Sequence, residues 1–73
     1  MSRANEVLKQ VMEGYGISQS ELANAIGTNR SSVHGWVNGN RDPSGEAIRK
    51  IYKGLRAISS NAAEEFIRLY LED

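Results

Sequence analysis

Between Ile17 and Asn38 the chain reads Ile-Ser-Gln-Ser-Glu-Leu-Ala-Asn-Ala-Ile-Gly-Thr-Asn-Arg-Ser-Ser-Val-His-Gly-Trp-Val-Asn, and this stretch restricts the fold more than any other. Ser18 followed by Glu21 is a capping box. The serine side chain accepts from the backbone N–H three residues on, and the glutamate reaches back to the N–H of residue 18. Leu22, Ala23 and Ile26 then fall on one side of a short helix. Gly27 follows at once, and its access to positive φ lets that helix end in a left-handed cap that a β-branched residue could reach only under strain.

Asn29, or Thr28 before it, offers an oxygen to the free N–H groups of a second helix. Val33, Trp36 and Val37 recur there at i, i+3 and i+4, so they are expected to point inward. At 3.6 residues per turn the opposite side holds Ser31, His34, Gly35 and Asn38, with Arg30 at the exposed N-terminal end. That face suits close approach to a polar surface better than packing against protein. Two short helices meeting at a large angle across a glycine-containing turn describe a helix-turn-helix.

The flanks read as helices as well. Val7, Leu8, Val11, Met12 and Tyr15 form a one-sided pattern that predicts a helix from near Ser2 or Ala4 to Glu13, broken by Gly14-Tyr15-Gly16. Tyr15 is expected to plug the core under the turn, and Ile17 to form the outer half of a hydrophobic staple. Asn38-Gly39-Asn40-Arg41-Asp42-Pro43-Ser44 is dense in turn formers. Ser44 can cap a fourth helix carrying Ile48, Ile51, Tyr52 and Leu55 on one side. Asn61 with Glu64 is a second capping-box candidate, opening a fifth helix with Ala62, Ala63, Phe66, Ile67, Tyr70 and Leu71. The fold class is therefore all-α, a compact bundle of five short helices, and residues 1–73 are read as a single domain.

At 73 residues such a domain lies near the lower limit for an unaided apolar core. There is no cysteine and only one histidine, so neither a disulfide framework nor a multi-histidine metal site can add stability. Helix packing, helped by a partner subunit, has to supply it. Apolar runs reach only two or three residues and no secretory leader is legible, so no membrane span is expected and the cytoplasm is the default location. The formal net charge is zero, but residues 27–58 hold Arg30, Arg41, Arg49, Lys50, Lys53 and Arg56 against only Asp42 and Glu46. The middle is basic and both ends acidic, which would turn one face toward DNA; the plainer reading makes Arg49, Lys50, Lys53 and Arg56 the solvated side of a helix. His34 has no paired acid or activated nucleophile, so no enzyme, cofactor or metal is expected.

Ser18-Gln19, Leu22-Ala23, Gly27, Val33, Trp36, Asn38-Gly39 and Pro43, in that order, resemble the helix-turn-helix of the phage-repressor-like (Cro/Xre-type) DNA-binding family. The likeness runs from about Val7 to Leu55, and it implies a lambda-repressor-like DNA-binding domain. Val37 and Gly35 depart from the family's pattern. The resemblance implies that the second helix of the motif lies in the major groove with its first residues at base edges. Arg30, Ser31, His34 and Gly35 then become candidates for base readout, with Arg30 foremost because a guanidinium fork can bond guanine O6 and N7 together. Gln19, Asn29, Ser32, Asn38 and Arg41 are candidates for phosphate contacts, Gln19 also bracing the reading helix; Asn38 could equally cap its C-terminus. The expected function is a sequence-specific double-stranded-DNA-binding transcriptional regulator, a repressor acting as a homodimer on a palindromic operator. Phe66, Ile67, Tyr70 and Leu71 of the fifth helix are the candidate dimer surface, since exposed apolar patches usually mean a partner. The competing reading is a helical protein-interaction module, antitoxin-like or an adaptor, whose main partner is a protein.

Overall fold

Apolar side chains spaced three and four residues apart leave each segment with one buried stripe, and the chain winds accordingly. The computed structural model describes residues 3–72, which form α1 (Arg3–Tyr15), α2 (Gln19–Ile26), α3 (Arg30–Asn38), α4 (Gly45–Ile58) and α5 (Ser60–Leu71), with no strand among them. The helices close a ring around one core: α1 packs on α5, α5 on α4, α4 on α2, α2 on α3, and α3 back on α1. Leu8, Val11, Leu22, Val33, Ile51, Leu55 and Phe66, contributed by all five helices, are fully buried at its centre. The ring is fastened where it begins and ends, because the Arg3 guanidinium donates to the Leu69 carbonyl from both Nε (3.2 Å) and Nη2 (2.9 Å). No helix among the described residues is long and apolar enough to cross a membrane.

The caps account for most of the boundaries. Ser18 and Ser44 sit in extended backbone and accept from the N–H groups of Glu21 and Ala47. The ends of α1 and α5 differ from expectation. An α1 start at Ser2 lies outside the described residues. The helix also continues through Gly14 to Tyr15, because the left-handed residue that stops it is Gly16 (φ 66°), with the Ile17 N–H returning to the Met12 carbonyl at 2.9 Å. A glycine in the last turn breaks little, since few hydrogen bonds lie beyond it. Tyr15 is no core plug: it is 42% exposed and its hydroxyl lies 3.5 Å from the Asn61 carbonyl. Met12 and the stapling Ile17, both buried, fill the space under the turn instead.

At the other end Ser59, rather than Asn61, caps α5. Its N–H bonds the Leu55 carbonyl to finish α4, while its hydroxyl accepts from the Ala62 N–H to start α5. One residue serves both helices, so Asn61 is already in the first turn. The expected dimer surface also needs correction. Phe66 is completely buried, facing the ring's interior, whereas Ile67 and Tyr70 are half-buried and Leu71 is 71% exposed.

Candidate nucleic-acid interface

The surface that matters is set by the junction of α2 and α3. The capping box at Ser18 forms in full, with the Glu21 carboxylate accepting from the Ser18 N–H at 2.9 Å. Gly27 takes φ 85°, and the N–H groups of Gly27 and Thr28 both return to the Ala23 carbonyl, at 2.9 and 3.0 Å. Two residues later Asn29 caps α3: its Oδ1 accepts from the Ser32 N–H at 2.9 Å and from the Ser32 hydroxyl at 3.1 Å. Val33 and Trp36 sink into the core and Val37 is half-buried, which fixes the roll of α3 about its axis.

Arg30, Ser31, His34 and Asn38 consequently face outward and are exposed, and the first three line one shallow depression. The Arg30 guanidinium has no partner among the described residues. His34 joins two neighbours in a chain across the motif. Its Nδ1 lies 3.2 Å from Gln19 Oε1, and its Nε2 lies 2.6 Å from Asn38 Nδ2. The neutral tautomer with the proton on Nδ1 serves both contacts, donating to Gln19 and accepting from Asn38. Gln19, half-buried at the start of α2, therefore braces α3 at its second turn. Asn29 and Ser32 are occupied with capping, and Ser32 lies on the half-buried flank.

Gly35 does not lie where the helical wheel put it. It is buried, and its cover is the side chain of Arg41: a Cβ built on Gly35 would stand 3.0 Å from Arg41 Cδ and 3.3 Å from Cγ. Its backbone is not open to a groove. The wheel is right about direction, but the loop after α3 folds back over that position. The N–H groups of Asn40 and Arg41 both bond the Gly35 carbonyl, at 3.0 and 3.2 Å.

Asn5 is the residue that sequence reasoning missed. Only 4% exposed, it directs its amide N–H groups at two carbonyls, those of Trp36 at the end of α3 and of Arg41 in the loop, the latter at 3.1 Å. Its Oδ1 is buried without a partner. The available signal was a polar residue on the apolar stripe of α1, in line with Leu8 and Met12. Asn5→Ala is expected to destabilise the fold by about 1–3 kcal/mol, because two buried acceptors lose a donor. Denaturant unfolding measures that loss, and faster amide exchange at Asn40 and Arg41 would accompany it.

The cations divide in the same way. Arg68 is paired with Glu65 (3.2 Å) and Glu72 (3.1 Å) on α5, whereas Arg30, Arg41, Arg49, Lys50, Lys53 and Arg56 are exposed and form no ion pair among the described residues. Among these residues no group of three histidines, aspartates or glutamates is placed to hold a metal. A family model described as helix-turn-helix matches residues 8–60, which spans both helices of the junction, the loop after them and α4. No curated protein and no solved structure matches the chain.

Proposed function

The chain belongs to the Cro/C1-type helix-turn-helix family of DNA-binding regulators, and from that premise we propose that it represses transcription by occupying a palindromic operator as a homodimer, its residues acting as one domain. The supporting observation is the outward face of α3. It carries Arg30, Ser31, His34 and Asn38 exposed, while α5 packs against α1 and α4 on the other side of the core. A helix so placed can enter the major groove with its N-terminal residues at base edges.

Within this reading Arg30 bonds guanine O6 and N7, and Ser31 bonds a base beside it. Gln19 holds the Nδ1 proton of His34, so Nε2 is the atom offered to DNA, as an acceptor for the amino group of adenine or cytosine. Asn38 then exchanges His34 for a phosphate. Gln19, Ser32 and the free amide N–H groups of Asn29 meet the backbone on either side, where they fix register without reading sequence. The second copy docks through the open part of α5, Ile67, Tyr70 and Leu71, and sets two reading helices about 34 Å apart on one face of the duplex.

Selection of duplexes from a random library at controlled salt tests this directly. The expected product is a palindrome with half-sites one helical turn apart. Arg30→Ala should weaken binding to that duplex by about tenfold to a hundredfold and remove discrimination at one G·C pair, with helicity by circular dichroism unchanged. Undiminished binding by that variant would take the reading head away from α3.

A further inference from the structure

The loop after α3 brings a cation back onto the reading helix. Arg41 is held on both sides of its Cα, its N–H on the Gly35 carbonyl and its own carbonyl on the buried Asn5 amide. From there its stem closes on Gly35 atom by atom, with Cβ 3.7 Å, Cγ 3.3 Å and Cδ 3.0 Å from the position of a Cβ on that residue. The Gly35 carbonyl points toward the C-terminal end of α3, and a helical Cβ tilts toward the N-terminal end. The stem thus runs backward along the helix, toward the turn that carries Ser31. The guanidinium beyond it has no partner among the described residues, and Arg41 is exposed overall.

These contacts lay the stem of Arg41 on the flank of α3 at Gly35, with the guanidinium of this exposed residue beyond it. A phosphate presents oxygens in several directions and can be met by an arginine from more than one rotamer. A base-reading arginine needs its direction fixed. Gly35, whose place in mid-helix costs about 1 kcal/mol relative to alanine, is the slot that fixes it. We infer that Arg41 is a specificity-determining residue which α3 borrows from the following loop, reading a guanine in the major groove through the seat that Gly35 leaves open. The inference rests on the reading of α3 as the helix that enters the groove, and it adds a base pair to the site that the helix alone would read.

The test uses the full chain and the duplex it selects, with each base pair substituted in turn, over a salt series. Arg41→Ala should lose about tenfold to a hundredfold on the selected duplex and become indifferent at a single G·C pair, all other positions keeping their discrimination. Arg41→Lys should be equally indifferent there while retaining the salt dependence, because it keeps the charge and loses the fork. Gly35→Ala should weaken the same base pair about tenfold, since its methyl displaces the stem by a few tenths of an ångström. Its thermal midpoint should stay level or rise, because alanine favours the helix. Gly35→Ala combined with Arg41→Ala should be no worse than Arg41→Ala alone. If Arg41→Ala instead weakens every duplex evenly and lowers the salt slope by about one, Arg41 holds a phosphate and the inference is overturned. A wild-type chain that selects no duplex removes the groove-entering helix, and this residue's role with it.

Discussion

Phe66→Ala is expected to remove a large part of the stability of this fold, in the range of 3–5 kcal/mol for a fully buried phenylalanine cut back to a methyl. A chain of 73 residues has about 4–11 kcal/mol in total to lose. Phe66 is completely buried in the core cluster to which all five helices contribute, so its loss leaves a cavity at the centre of the fold. Its ring also stacks on that of Tyr70, 6.1 Å between centroids and 7° from parallel, and that contact goes with it. The urea midpoint should fall steeply, with much of the protein unfolded at 37 °C. Leu71→Ala in the same helix is the matched control: at 71% exposure it should leave monomer unfolding within about 0.5 kcal/mol of wild type. A Phe66→Ala protein that unfolds normally but no longer self-associates would restore that ring to the dimer surface.

Gly54→Val is expected to destabilise the protein by about 3 kcal/mol and to weaken DNA binding in the protein that remains folded. Here α4 passes close against α2. A Cβ on Gly54 would lie 2.7 Å from Ile26 Cγ1 and 3.1 Å from Leu22 Cδ1, and Leu22 is completely buried. Valine would add two further methyl groups to that clash. Relief has to come from the side chains of Leu22 and Ile26 or from an outward shift of α2, and α2 carries Gln19, the residue that braces His34. Denaturant unfolding reads the first effect. The second appears as lower affinity at temperatures where circular dichroism shows full helicity. Gly54→Ala should fall between the two, because part of its clash is offset by better helix propensity.

Much of the architecture was legible where it is written locally, although Ser59 displaced the Asn61–Glu64 pattern as the cap of α5 and Gly14 did not stop α1. The Ser18–Glu21 box, the Gly27 stop and the Asn29 and Ser44 caps are short-range hydrogen-bonding patterns, and each is found at the residue that announces it. The outward face of α3 followed from the positions of Val33 and Trp36. What escaped depends on segments distant in sequence. Gly35 looked exposed on a helical wheel, which contains no loop to fold over it. Gly54 drew no reading, because the approach of α2 belongs to tertiary structure. Asn5 drew no reading either, since its carbonyl partners lie 31 and 36 positions away. The face of Phe66 was misjudged for a related reason. A wide apolar stripe says how much surface is buried, but not how that burial is shared between the protein's own core and another molecule.

Only Val33, Gly35 and Trp36 of α3 lie in the interior, whereas Arg30, Ser31, His34 and Asn38 are exposed, His34 bonding Asn38 and, on α2, Gln19. Substitutions at such exposed positions usually alter stability by no more than about 0.5 kcal/mol. The outward side chains can therefore change with little effect on the core, the exception being the coupling through Gly35, which seats Arg41, and through Gln19, which braces His34. If α3 enters the groove, a descendant could be turned toward a different base sequence by rewriting those outward letters and the loop arginine, while the buried side of the helix stays as it is.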